Sequence, residues 1–377
     1  MSAIEPFDSR IGRLGCACPE DSERALRRQP GQWQLAGGFA LVVLAQALTI
    51  GVLPLAGAML TSEPRLAALP LAVFLLGAAC ASVPATFLLD AFGRRAGFAL
   101  GASLGGAGGL IAAYAITVRA FPMLLVGCAW LGAAQGFAMF YRHAAAFGAG
   151  AGTRASVVAR LLGAGALAGL VGPLGAGAAE ALFVPYTFVG TLLLAAIAQL
   201  GALTFAVMLP EARFSHADDT VQAMSAAVPA PALPWRELTV PTLLAGAAWM
   251  AMTSAMASVP LALAGCGIAL PLISGFVAWH VVAMYAPALV GGALAARLGT
   301  QWLAVLGLAL AVSAAIATRL APDAASIGMA FLVVGAGWSL STLGATLRLH
   351  ECGTPSRGQL AVHDVSLLVA ALIGAMI

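Results

Sequence analysis

Apolar runs of roughly 20 residues, separated by short polar breaks, recur from residue 35 to the end of the chain. Each is long enough to cross a bilayer as a helix. Eleven spans are predicted, at 35–60, 66–89, 97–118, 121–142, 155–178, 183–208, 240–262, 270–296, 302–320, 325–348 and 359–377. Two stretches fall outside this pattern. Residues 1–33 are polar and Arg-rich, and 210–238 carries Glu211, Arg213, His216, Asp218 and Asp219 followed by Pro229, Pro231 and Pro234. The second reads as a flexible linker. The predicted organisation is therefore an N-terminal tail (1–33), a six-helix half (34–209), a linker (210–238) and a five-span half (239–377). The fold class is an all-α membrane protein.

Composition agrees. The chain is 61% hydrophobic and 9% charged, whereas a soluble domain carries about 25% charged residues. The 44 glycines suit helices packed closely in lipid, where small residues let backbones approach. A net charge of +3 is too small to imply a nucleic-acid partner. No G-x-x-x-x-G-K-[ST] motif is present, so the sequence offers no phosphate-binding loop for ATP. The first apolar run is too long for the h-region of a signal peptide. With the N-terminus placed in the cytoplasm, 15 of the 18 arginines face inward and only Arg65, Arg119 and Arg319 face outward; this bias sets the expected orientation. The linker then also lies inside.

Few side chains within the spans are chemically pointed. The seventh span carries Met252 and Met256, and the eighth His280 and Met284. Residues four apart share a helix face, so each span presents a pair of soft or borderline donors suited to Cu(I). The bland alternatives are methionine as gap-filler and a histidine satisfied by a neighbouring carbonyl. An ionisable residue inside a span is nonetheless a functional candidate by default. Asp364 and His363, early in the eleventh span, are candidates for carrying protons, with a helix-start role as the alternative. Cys266, predicted in the seventh-to-eighth loop on the outer side, offers a thiol for metal capture or exchange. Cys16 and Cys18 form a lone C-x-C in the tail; they read as two reduced thiols, with soft-metal binding as the sharper alternative. Gln46, Gln135 and Gln199 are polar span residues that line a pathway or tie helices together.

Asp90-Ala-Phe-Gly93-Arg94-Arg95, after the second span, resembles the D-R-x-G-R-R signature of the major facilitator superfamily, with Ala91 in place of the usual basic residue. Six spans, a linker and a second set of spans have the same layout. Trp279 to Pro287, Gly335 to Ser339 and Gln359 to Asp364 resemble a bacterial branch of that superfamily, the CcoA-type copper importers. The M-x-x-x-M and H-x-x-x-M of that group map onto Met252, Met256, His280 and Met284. The resemblance implies a two-half helical bundle in the bacterial inner membrane, working by alternating access. It implies copper, as Cu(I), for cargo and no permanent cofactor. It further implies a role in supplying copper for cbb3-type cytochrome c oxidase assembly, with a cytoplasmic copper chaperone or exporter as partner. The protein is expected not to be an enzyme. Two other readings stay open: a transporter of a small organic solute such as a flavin or drug, and a non-transporting copper sensor or oxidase assembly factor. The sequence departs from the branch at His143, Phe147 and His363, and it stops at Ile377 with eleven spans where the superfamily usually has twelve.

Overall fold

The computed structural model describes residues 31–147, 149–150, 152–210 and 232–377, and for residue 90 the backbone alone. The C-x-C at Cys16 and Cys18 and most of the 210–238 linker lie outside the described residues. Among these residues there are eleven helical spans long and apolar enough to cross a membrane. They are α1 (Gln32–Leu60), α2 (Pro64–Leu89), α3 (Ala91–Thr117), α4 (Phe121–Phe147), α5 (Arg154–Leu182), α6 (Val189–Val207), α7 (Trp235–Gly265), α8 (Leu270–Leu298), α9 (Thr300–Leu320), α10 (Ala324–Glu351) and α11 (Arg357–Met376). The chain is an all-α membrane bundle, as its apolar pattern predicts. Successive spans run in opposite directions. Below, the near end is the one where α1 begins and the far end is its opposite.

Boundaries differ where special residues act. The predicted linker reaches residue 238, yet helix begins at Trp235. Pro234 stands at the N-cap with φ −65° and Glu237 lies in the first turn, a favourable pairing of acid with the positive end of the helix dipole. The third span starts at Ala91, not 97, because α2 and α3 are joined through a single kink at Gly93, φ 83°. That left-handed conformation favours glycine. Arg95 Nε then donates to Leu209 O just past α6, at 2.9 Å, so the signature segment braces a neighbouring helix end. At the far end Asp323 caps α10, accepting from Ala325 N and Ser326 N at 3.0 Å each. These bonds, that from Ser326 N first, hold its carboxyl below the ordinary range. Ser356 and Gln359 form a capping box at the start of α11, and Gln359 Nε2 donates to Leu233 O at 2.6 Å.

α1 to α6 pack chiefly on one another, as do α7 to α11; the two sets meet where α8 lies on α5 and where α11 lies on the α2–α3 pair. Lipid-embedded helices gain little from apolar burial as such and depend on close approach. Gly344 on α10 shows this: a Cβ there would stand 2.6 Å from Ala304 N on α9. Large apolar side chains such as Leu174 and Leu182 are exposed, as are Trp33, Trp235 and Trp302. Those three tryptophans all sit at near-end helix starts, where an aromatic belt marks a membrane interface.

Candidate functional site

Helical spacing brings three of the four predicted ligands to one place. Trp249, Met252, Thr253 and Met256 of α7 and Val281, Met284 and Tyr285 of α8 face a central cavity of about 20 Å³, closed by α1, α2, Gln135 of α4 and Leu368 of α11. Gln46 and Gln135 are its amide-bearing members. Thr253 Oγ1 is engaged elsewhere, donating to Ala371 O at 2.7 Å and so tying α7 to α11.

His280 is not on that wall. Its Nδ1 lies 2.6 Å from Phe331 O on α10, and its ring stacks on Phe331 with centroids 3.7 Å apart. Its Nε2 is buried with no partner among the described residues. Although His280 and Met284 are four apart, the cavity face of α8 is centred on Val281, Met284 and Tyr285. At 100° per residue His280 falls on the edge of that arc, turned toward α10. Cys266 is exposed at the far end of α7, away from the methionines.

A second, larger cavity of about 400 Å³ adjoins the first. It lies toward the far end between α1, α5 and α8, and shares Ala47 and Val281 with the methionine cavity. Its walls are small because α5 contributes Gly169, Gly172, Pro173, Ala176 and Gly177. Glu180 lines it too, but its carboxylate accepts from Phe188 N at 2.7 Å, Thr191 N at 2.8 Å and Thr191 Oγ1 at 2.8 Å, so it serves as the cap of α6.

On the near side of the methionine cavity a row of rings crosses the bundle. Phe98 (α3) stacks on Tyr141 (α4) at 3.9 Å, Tyr141 meets Phe39 (α1) at 6.0 Å, and Phe39 meets Tyr285 (α8) at 5.9 Å. Tyr285 meets Trp338 (α10) at 5.6 Å, which meets Trp249 (α7) edge-on at 5.2 Å. The four separations of 5.2 to 6.0 Å are those of favourable aromatic pairs. Trp249 Nε1 is satisfied by Thr342 Oγ1 at 3.1 Å.

Beyond the rings, nearer still to the near end, lies a buried polar cluster. Arg142 pairs with Asp364. His143 Nε2 is 3.3 Å from Asp364 Oδ1, and His143 Nδ1 is 3.3 Å from His350 Nε2. His363 Nδ1 is 2.8 Å from Thr242 Oγ1, and Arg154 Nη1 donates to His350 O at 2.6 Å. Five spans, α4, α5, α7, α10 and α11, are joined here. The sequence pattern singles out His363 and Asp364, marks His143 only as a departure, and leaves Arg142 and His350 without a role. Arg142 carries the signal of an ionisable residue within a predicted span; His143 and His350 lie just past the predicted span ends at 142 and 348, and the longer observed helices bring them inside.

Residues 35–373 match the Major Facilitator Superfamily. This chain belongs to that superfamily. It is 30% identical over 330 residues to the riboflavin transporter RfnT of Brucella anthropi, covering 84% of this chain and 81% of that protein. It is 26% identical to the uncharacterized MFS-type transporter YddS of Bacillus subtilis, covering 86% and 76% of the two chains. Among solved structures it resembles the xylose transporter XylE from E. coli in a partially occluded inward open conformation. The TM-score there is 0.70 at 14% identity, over 92% of this chain and 91% of that one. The E. coli fucose:proton symporter FucP gives 0.63 at 14% identity, over 91% and 88%. At such identities the structural likeness speaks for the fold alone.

Superfamily membership makes this a multi-pass transporter, in keeping with the expectation that it is not an enzyme. The copper-importer assignment implied by the paired motifs finds no support among these relatives, and neither do metal binding or a role in oxidase assembly.

Proposed function

We propose that this protein is a secondary transporter of a flavin or a similarly planar organic solute. The observation that carries this is the 30% identity, across most of both chains, to a protein described as a riboflavin transporter. The cavities support it. Small-molecule sites occupy about 300–1,000 Å³ and are mostly apolar with a few polar groups. The far-end cavity, about 400 Å³, falls in that range. It leads to a floor of stacked and edge-on rings, a surface suited to an aromatic ring system, with Gln46 and Gln135 nearby as hydrogen-bonding groups.

On this reading the near end faces the cytoplasm of a bacterium, which the arginine bias supports, and the large cavity faces the outside. The halves 34–209 and 239–377, joined by the 210–238 linker, would rock about the central cavity to expose it alternately. Purified protein in liposomes should take up labelled riboflavin saturably, with competition from unlabelled flavin. Liposomes that stay at the protein-free background would overturn the flavin reading.

A second reading is favoured by one observation: Met252, Met256 and Met284 share a single wall, and three thioethers together suit Cu(I). It predicts copper accumulation in the same liposomes and none of riboflavin. His280 would have to turn from Phe331 to join such a site.

A further inference from the structure

Two polar groups on the wall of the methionine cavity are engaged: Trp249 Nε1 bonds Thr342 and Thr253 Oγ1 bonds Ala371 O. The amides of Gln46 and Gln135 line the same cavity and make no hydrogen bond among the described residues. Gln135 is only 8% exposed, so its amide has left water without gaining a protein partner, which buried polar groups rarely do. A span glutamine ordinarily ties helices together. Gln359 does so, accepting from Ser356 N at 2.8 Å and donating to Leu233 O at 2.6 Å. Gln135 ties nothing, yet its placement is firm. Gly136 beside it packs α4 hard against α2, where a Cβ would stand 2.6 Å from Ala78 O. That contact sets how far the Gln135 side chain enters the cavity.

The surroundings decide what chemistry these amides take. No acid, arginine or histidine lines the cavity, so the edge they meet is neutral. The rest of the wall is mostly aliphatic or thioether. A sugar, with a hydroxyl on nearly every carbon, would leave buried groups unpaired there. A flat ring with its polar groups on one edge would not. A primary amide carries an acceptor and two donors side by side. Its oxygen accepts from the N–H of a cyclic imide while its nitrogen donates to one flanking carbonyl. A second amide donates to the other carbonyl. Two glutamines therefore satisfy the acceptor–donor–acceptor edge of an imide. The methionines of the wall are unbranched and repack easily, so they yield to that edge, and the adjoining cavity of about 400 Å³ takes the rest of the solute.

We propose that Gln135, assisted by Gln46, is the specificity-determining residue of this transporter and selects planar heterocycles by an unsubstituted cyclic imide edge. The isoalloxazine of a flavin carries that edge. So does lumazine, a pteridine dione that lacks the benzenoid ring. A methyl group on the imide nitrogen removes the donor and leaves the Gln135 oxygen unpaired against it. Sites built to bond an N–H strongly reject the analogue without one. The inference rests on the solute being planar and organic, as proposed above, and extends to imide heterocycles that are not flavins.

Equilibrium dialysis of the purified full chain in detergent tests this, with riboflavin, lumazine and the imide-methylated form of each as probes. The parent should bind riboflavin roughly tenfold or more tighter than its methylated form. Gln135→Leu should erase that preference by weakening riboflavin while leaving the methylated form unchanged. Because the Gln135 amide bonds no other part of the protein, the variant should also melt close to the parent. A marked fall in its melting temperature would show a structural amide and overturn the proposal. Equal binding of methylated and unmethylated rings, or a preference that survives Gln135→Leu, would overturn it too and leave the flavin reading standing. Lumazine bound with this dependence on its imide N–H and on Gln135, with riboflavin not bound, would sink the flavin reading and uphold the proposal. Binding of neither ring would overturn both.

Discussion

Met252 packs against apolar neighbours on the cavity wall, so what it does for the cargo decides what a conservative change does. Met252→Leu is nearly isosteric, and volume-conserving swaps in a packed core cost less than ~1.5 kcal/mol. With an organic solute as cargo, uptake should survive the change at equal membrane abundance; loss of copper accumulation in the same variant would instead favour the thioether site. His280 offers a second discriminating test. His280→Ala removes the stack on Phe331 and leaves Phe331 O without its donor, which costs about 1–3 kcal/mol. The melting temperature should drop while riboflavin uptake per folded molecule stays intact. An unchanged melting temperature with lost transport would assign His280 to the cargo path. Sequence reasoning grouped His280 with Met284 because spacing gives a shared face only to within an arc. Which edge of that arc meets a cavity depends on how α8 is turned against α10, and spacing does not encode rotation. The same limit hid the partners of Asp364: Arg142 and His143 lie 222 and 221 positions away along the chain, and His350, which meets His143, lies 207 positions from it.

Among the elements, α5 is the one whose sequence reads differently once its neighbours are known. Its glycines and alanines look like close-packing residues, and several instead line the large cavity. The opposite wall holds Gly275 on α8, whose Cβ would meet no atom within 4 Å. Gly275→Trp should therefore fold and fill the space, abolishing solute uptake without loss of protein from the membrane; retained uptake would move the solute path elsewhere. Gly93 tests the other use of glycine. At φ 83° and ψ 170°, a region L side chains hardly enter, the strain is about 1–3 kcal/mol, so Gly93→Ala should lower the melting temperature. The eleven spans were legible because apolar runs of membrane length are hard to mistake. Their starts were less so: Pro234 and Gly93 set the ends of α7 and α2 by backbone geometry, which a hydropathy pattern does not contain.

The whole molecule has an orientation that its thiols can report. Cys266 lies at the far end, exposed, and Cys352 follows α10 at the near end, half-buried, 3.8 Å from Glu237 Oε2. Burial pushes the Cys352 thiol up, so it reacts more slowly even when reached. With the near end in the cytoplasm, a membrane-impermeant maleimide added to intact cells should label Cys266 and spare Cys352, while a permeant one labels both. The reverse pattern would invert the bundle and turn the large cavity inward. The superfamily fold was legible from the span layout and the Gly93-Arg94-Arg95 segment; the cargo was not, since the same scaffold carries many solutes and the decisive surfaces are assembled from five or more spans.

The row of rings beneath the methionine cavity carries an optical consequence. Trp249 and Trp338 stand edge to face at its α7–α10 end, beside Tyr285, and indole emission overlaps the absorption of an isoalloxazine. A flavin resting on this floor would quench their fluorescence by energy transfer at van der Waals range, and Trp249→Phe would remove much of the effect. Occupancy of the site could then be followed by light in detergent solution, with no membrane, no gradient and no transport cycle.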